Sequence, residues 1–319
     1  MSENLIEMQD LKKYFILNRK DKLHAVDGIT LSIREGETLG VVGESGCGKS
    51  TLGRTVLRLY DPTAGTIRYA GKDITNIKGR ELKAIRNEMQ MIFQDPYSSL
   101  NPRMSVQELI AEPLLISESC PKDQVFEKVA QIMDVVGLAQ RLSGAYPHEL
   151  DGGRRQRIGV ARALVLNPRF IVCDEPVSAL DVSIQAQILN LLMDQQEERH
   201  LTYMFITHDL SVVRHISNRI AVLYLGKCVE YCESKLLFRN PQHPYTKALL
   251  AAIPVPSIEM RKRRPQLLEG EVTNPVNPKP GCRFAPRCPH ASAECLQSDI
   301  PLKEIEPGHF VACVRSGEL

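Results

Sequence analysis

The stretch GESGCGKST, Gly43 to Thr51, follows directly on the short apolar run TLGVVG, Thr38 to Gly43. The pattern G-x4-G-K-[ST] requires a strand that delivers the chain into a tight turn and a helix that carries it away. Its glycines let backbone N–H groups close around an anion, and the helix N-terminus adds partial positive charge. Gly43, Ser45, Gly46, Gly48, Lys49, Ser50 and Thr51 are therefore candidate phosphate-binding residues. Lys49 is placed to reach the β- and γ-phosphates of a nucleotide, and Ser50 to ligate Mg2+. Cys47 reads as an incidental small residue of the loop.

Other segments agree with a strand–loop–helix setting. FIVCDE (Phe170 to Glu175) and TYMFITHD (Thr202 to Asp209) are short, apolar and bounded by polar residues, as buried strands are. Between them, SIQAQILNLLMDQQEER carries Ile184, Ile188, Leu191, Leu192 and Gln195 at helical spacing. RIAVLYLGKCVEYC predicts a hairpin turning at Gly226-Lys227, and VFEKVAQIMDVVGL a helix. Strands alternating with helices predict an α/β fold with a largely parallel sheet. The helical stretch at about 96–163 reads as an insertion between the glycine-rich loop and the second strand. After about Asn240 the chain turns rich in Pro and Cys, and a boundary is expected there.

Two acids end the second strand. Asp174 can hold Mg2+ through water, and Glu175 can orient and deprotonate an attacking water. Phosphoryl transfer needs little covalent help, so placing that water and stabilising charge is most of the chemistry. His208, at the next strand end, suits a polar contact with a γ-phosphate.

In order and spacing, these motifs resemble the ATP-binding subunits of ABC transporters over about Leu5 to Arg239. The resemblance implies a RecA-like P-loop core with an antiparallel β subdomain, an inserted helical subdomain and, here, a small C-terminal extension. It gives residues 1–240 to the ATP-binding domain and 241–319 to the extension. Gln94 in IFQDP matches the Q-loop glutamine, which implies contact with Mg2+ and the attacking water. Ser178-Ala179-Leu180-Asp181 matches the D-loop, and His208 the switch histidine. Phe15 matches the aromatic that stacks on adenine, with Tyr14 as the alternative. IFQDPYSSLNPR, DEPVSALDVSIQAQILNLL and NPQHPYTKALLAAIP look like the oligopeptide/dipeptide importer branch. That branch implies two membrane permease subunits, one coupling helix of which is received at about Pro96 to Glu118, and an extracellular solute-binding protein acting indirectly.

LDGGR, Leu150 to Arg154, stands where the family usually has LSGGQ. In a head-to-tail dimer the residues Asp151, Gly152, Gly153 and Arg154 would face the partner's ATP. An ionised Asp151 cannot donate to a γ-phosphate, and two like unit charges about 4 Å apart at an effective dielectric near 20 cost on the order of 4 kcal/mol. Asp caps a helix as well as Ser does, however, and Arg154 can pair with Asp151 or supply the phosphate contact itself. The expectation is a heterodimer with a second ATP-binding subunit and two unequal ATP sites.

Cys282, Cys288, Cys295 and Cys313, at spacings x5, x6 and x17, could hold Zn2+ or an iron–sulfur cluster. Resemblance favours [4Fe-4S]. Cys228 and Cys232 read as packing residues of the hairpin. A short extension without a core usually needs such a staple. With acids and no apolar core in MSENLIEMQDLKKYF, export is not expected, so thiols or metal ligands are expected rather than disulfides. No run of about 18 apolar residues predicts a membrane span. The expected location is the cytoplasmic side of the membrane, held there by partners. A net charge of +2 gives no general basic field for nucleic acid, and the run Arg261 to Arg264 reads as a solvated loop. Other readings are import of nickel or another small solute, a soluble ABC protein acting on ribosomes or DNA, and a redox-sensing binding module.

Overall fold

The computed structural model describes residues 3–118, 120–253 and 274–317; the Arg261–Arg264 run lies outside them. In chain order come β1 (Asn4–Ile16), β2 (Lys22–Arg34), β3 (Thr38–Val42), α1 (Lys49–Val56), β4 (Ala64–Tyr69), β5 (Lys72–Asp73), α2 (Gly79–Glu88) and β6 (Met89–Ile92). There follow α3 (Pro96–Ser99), α4 (Val106–Ser117), α5 (Val125–Val135), α6 (Gly152–Leu164), β7 (Phe170–Asp174), α7 (Val182–Arg199) and β8 (Thr202–Ile206). The last are α8 (Leu210–Ile216), β9 (Arg219–Tyr224), β10 (Lys227–Glu233), α9 (Ser234–Arg239), α10 (Pro244–Ala251), β11 (Lys303–Glu306) and β12 (His309–Val311).

Two compact units result. One gathers Met1–Leu5, Ile33–Glu37 and Asn76–Phe205. In it β6 and β7 pair in parallel, from Met89 opposite Phe170 to Ile92 opposite Cys173, and β8 lies on the other side of β7. Every residue of β7 and β8 is buried, so these strands read as unbroken apolar runs rather than alternating ones. The helices α4, α5 and α6 pack on one another. Ser105 and Glu108 close a reciprocal cap at the start of α4, which fixes where that helix begins. Arg162 of α6 ties the cluster together, donating to Ser99 O at 2.9 Å and to Glu112 at 2.7 Å. On α7, Ile188, Leu192 and Gln195 are buried, whereas Ile184 and Leu191 are only partly covered.

The other unit gathers Ile6–Ser32, Thr38–Thr75 and Ile206–Leu319. Its first sheet has the order β2-β1-β4-β5, with β4 antiparallel to both neighbours. Its second runs β11-β12-β10-β9-β3, where β3 and β9 are parallel and the remaining pairs antiparallel. The sheet is thus mixed, and the C-terminal strands β11 and β12 extend it, which the Pro- and Cys-rich composition did not foretell. The hairpin turns one residue earlier than its sequence predicts. Leu225 (φ +43°) and Gly226 (φ +81°) form the tip, and Lys227 already pairs with Tyr224. Two successive left-handed residues give the twist a tight antiparallel hairpin needs, so Leu225 accepts a conformation usually left to Asn or Gly.

Candidate functional site

In the glycine-rich loop, β3 ends at Val42 and α1 begins at Lys49. Only glycine fits at two positions. A Cβ on Gly43 (φ +153°) would lie 2.2 Å from Leu223 O, and one on Gly48 (φ +103°) 2.0 Å from Ala25 O. Lys49 is buried, and its Nζ donates to Gly43 O at 2.8 Å and Glu44 O at 2.9 Å, drawing the loop into a ring. Cys47 is buried too, and burial pushes its thiol pKa up, so it has the character of a packing residue. Ser50 and Thr51 lie half-buried on the first turn of α1, and Ser45 and Gly46 are exposed.

Side chains from elsewhere brace this loop. Tyr245 of α10 is fully buried, and Glu44 N–H donates to its hydroxyl at 2.9 Å. Arg287 forms an ion pair with Glu44 at 2.9 Å, and its Nη1 also reaches the Tyr224 hydroxyl at 3.4 Å. Gly226 at the hairpin tip donates to Cys47 O at 2.8 Å, and its own carbonyl accepts from Asp27 N. Neither Glu44 nor Arg287 nor Tyr245 was a sequence candidate. Glu44 and Arg287 stand 243 residues apart, and no spacing rule connects them.

The aromatic candidates lie in the same unit. Phe15 meets Tyr60 edge to face at 5.5 Å, with Lys13 Nζ 5.1 Å from its ring centre. Tyr14 stacks on His24 at 3.9 Å and donates its hydroxyl to Asp27, which also pairs with Arg283. Burial pushes the Asp27 carboxyl up, but Tyr14, His24, Lys227 and Arg283 outweigh it and hold the pKa down to about 2. His208 is exposed just after β8, before Asp209 caps α8 by accepting from Ser211 N and Val212 N.

In the unit that contains β7, Asp174 is buried at the strand end and Glu175 begins the turn that follows. Glu175 has φ +48°, an uncommon conformation for a side chain of this kind. It brings the carboxylate to Gln94, whose Nε2 donates to Glu175 Oε2 at 3.0 Å. Two candidates 81 residues apart therefore meet. Asp181 caps α7 by accepting from Ile184 N at 3.0 Å, and Ser178 Oγ donates to Glu175 O at 3.2 Å. Asp151 caps α6: Oδ1 accepts from Arg154 N at 2.8 Å, while Oδ2 lies 3.4 Å from Arg154 Nε. Of the open alternatives for Arg154, the structure shows the pair with Asp151. Gly153 is where α6 and α7 approach closely, since a Cβ there would lie 2.8 Å from Ile184.

The four candidate cysteines of the extension line one small cavity with His243 and Phe284. Cys282 N–H donates to Cys295 O at 2.7 Å, which folds the segment back on itself. Burial pushes the Cys282 thiol up to about 11 and raises Cys288 and Cys313 as well. All nine cysteines are free thiols, and among the described residues no three His, Cys, Asp or Glu side chains are grouped to hold a single metal ion. Cys228 and Cys232 lie on β10 and do not line this cavity. No described helix is long and apolar enough to cross a membrane.

Residues 26–178 match the family described as ABC transporter, and residues 229–295 the one described as oligopeptide/dipeptide transporter, C-terminal region. The chain is 51% identical over 319 residues to the oligopeptide transport ATP-binding protein AppF of Bacillus subtilis (strain 168), covering 98% of this chain and 97% of that one. It is 49% identical over 321 residues to the oligopeptide transport ATP-binding protein OppF of Salmonella typhimurium, covering 98% and 96%. A dimeric, post-hydrolysis structure of the ATP-binding cassette MJ0796 bound to ADP and Pi is similar at a TM-score of 0.66 and 28% identity, over 72% of this chain and 98% of that one. Fold and motif order together define an ATP-binding cassette. The chain belongs to the ABC transporter family, among the oligopeptide transport ATP-binding proteins.

Proposed function

We propose that this chain hydrolyses ATP to energise the uptake of oligopeptides or dipeptides across the cytoplasmic membrane. The observation that carries the reading is identity of 51% and 49% to oligopeptide transport ATP-binding proteins over nearly the whole chain, the C-terminal region included. The chain is peripheral, on the cytoplasmic side, works with two permease subunits, and receives one of their coupling helices at about residues 96–118.

Gly43, Ser45, Gly46, Gly48, Lys49, Ser50 and Thr51 hold the phosphates, and Phe15 (or Tyr14) stacks on adenine. Ser50, Gln94 and Asp174 are the residues that would hold Mg2+, which neutralises charge on the β- and γ-phosphates. Glu175 orients the attacking water and takes its proton. The Gln94 amide restrains that carboxylate at 3.0 Å, so its rotamer is set before the water arrives. His208 contacts the γ-phosphate. In a head-to-tail dimer with a second ATP-binding subunit, Asp151, Gly152, Gly153 and Arg154 face the partner's ATP, and Ser178 and Asp181 line the interface. The Asp151–Arg154 pair is half exposed, so it offsets only part of the repulsion a carboxylate brings to a γ-phosphate. The two ATP sites are therefore unequal, and the one built on this chain's own Lys49 and Glu175 is the stronger.

For the extension, the four thiols on one cavity are the candidate ligands of a [4Fe-4S] cluster, as the family resemblance implies, with Zn2+ as the alternative. When bound, the cluster supplies a covalent staple for a segment with little core of its own. Iron and acid-labile sulfide analysis should give about four of each per chain; zinc in their place would overturn this part of the reading.

The first test is ATP turnover of the assembled transporter carrying Glu175→Gln. Nearly complete loss is expected. Retention of half or more would mean that the site facing LDGGR hydrolyses well, and the unequal-site reading would fall.

A further inference from the structure

Glu44 poses an electrostatic problem. It opens the loop that receives a triphosphate, where a free carboxylate works against an anionic ligand. The structure answers it with Arg287, supplied by the cysteine-rich extension one residue before Cys288. The pair is short, 2.9 Å to one Glu44 oxygen and 3.1 Å to the other, and the Arg287 side chain is only 7% exposed. Tyr224, itself buried, accepts from the same guanidinium nitrogen. Tyr245, also from the C-terminal part of the chain, accepts from the Glu44 backbone N–H. Side chain and backbone of this one loop residue are thus both held from beyond β9.

We propose that Arg287 is a positioning residue for ATP: it neutralises and anchors Glu44, so that the cysteine-rich extension sets the affinity of the phosphate loop on the other side of this ion pair. The inference rests on the reading that the loop Gly43–Thr51 binds the phosphates. Guanidinium is always charged and matches a carboxylate with more than one N–H, so it removes the loop's negative charge at every working pH. Arg287 acts only through Glu44 and needs no contact of its own with nucleotide or water.

The test is steady-state ATP hydrolysis by the assembled transporter, with KM and kcat separated. Arg287→Ala is expected to raise KM for ATP about tenfold, the size of losing one charge-assisted contact, with kcat changed less than about twofold. Arg287→Lys should recover most of the affinity, because it keeps the charge. The decisive variant is the double one. Glu44→Gln in the Arg287→Ala background removes the exposed carboxylate and should bring KM back towards that of the parent. If Arg287→Ala does not yield folded protein, Glu44→Gln alone decides, since it removes the carboxylate that Arg287 has to neutralise and should not raise KM. An unchanged KM in Arg287→Ala, a double variant as weak as the single one, or a raised KM in Glu44→Gln overturns the proposal. Lys49→Ala separates this from the underlying reading: if it leaves ATP binding intact, the loop assignment itself fails, whereas lost binding with an unmoved KM in Arg287→Ala sinks only the role of Arg287.

Discussion

Gly43–Thr51 and Leu150–Arg154 are both short glycine-rich runs that open a helix, yet they are held in opposite ways. The first is bound by Lys49, Tyr245, Arg287 and Gly226, most of them distant in sequence, and two of its glycines admit no other residue. The second has its polar contacts within three residues, the cap and ion pair between Asp151 and Arg154, with both side chains about half exposed, and its glycines meet only apolar side chains, Leu180 and Ile184, from elsewhere. The difference teaches what each half needs from its surroundings. A phosphate cradle must be formed before the ligand arrives, because ordering it on binding would cost affinity. A surface that completes a site across an interface gains its remaining partners only when the interface closes.

The comparison can be broken most severely at Lys49. Lys49→Ala should reduce ATP turnover at least about a hundredfold, while Arg154→Ala in the assembled transporter should leave most of it. The same substitution placed in both runs sharpens the contrast. Gly48→Ala forces a Cβ against Ala25 O at a left-handed φ and should cost roughly 3 kcal/mol or more of stability. Gly152→Ala, whose Cβ would sit 3.4 Å from Leu180, should change stability by less than about 1 kcal/mol. Thermal melts of the two variants check both figures.

Acid should also tell the regions apart. Asp27 belongs to the braced side, and its carboxyl falls from 3.8 to about 2 on folding. A depressed pKa stabilises above the unfolded value, so the contribution is complete above about pH 4 and lost as pH falls towards 2. Asp27→Asn should remove that dependence, on the order of 2 kcal/mol, from melts recorded between pH 5 and 2. The smallest effect is expected at the exposed pair. Asp151→Ser should alter stability by less than about 1 kcal/mol, since Ser caps equally well and a surface pair contributes little. In a Glu175→Gln background, however, it should raise the residual ATP turnover. No rise would mean that Asp151 does not weaken the site it faces.

Much of this was legible because the chemistry is local. Gly43 to Thr51, Asp174-Glu175 and Asp151 to Arg154 each declare themselves within a few residues, and β3, β7 and β8 follow from unbroken apolar runs. The structure adds that Gln94 holds Glu175, a pairing the motifs imply only by way of a ligand common to both. What remained hidden was long-range and polar. Nothing local marks Arg287 or Tyr245 as supports of Glu44, because a salt bridge leaves no periodicity in the chain. The hairpin tip was misplaced by one residue for a different reason: Leu225 adopts a left-handed φ, and glycine was the natural choice for the start of the turn. The exposed Asp151 was legible as a charge, but its commitment to Arg154 depended on a rotamer.

That same tip bears on where the chain could be lengthened or labelled. Two-residue hairpins are ordinarily good places for an added epitope or dye-bearing residue, since their ends are free in solvent. Here Gly226 donates to Cys47 O and accepts from Asp27 N, Leu225 O accepts from Arg283, and a Cβ at Gly226 would fall 2.6 Å from His24 O. An insertion at this point would pull on the nucleotide loop and on β2 at once, which makes the tip a poor attachment site and an informative place for a spectroscopic probe of loop geometry.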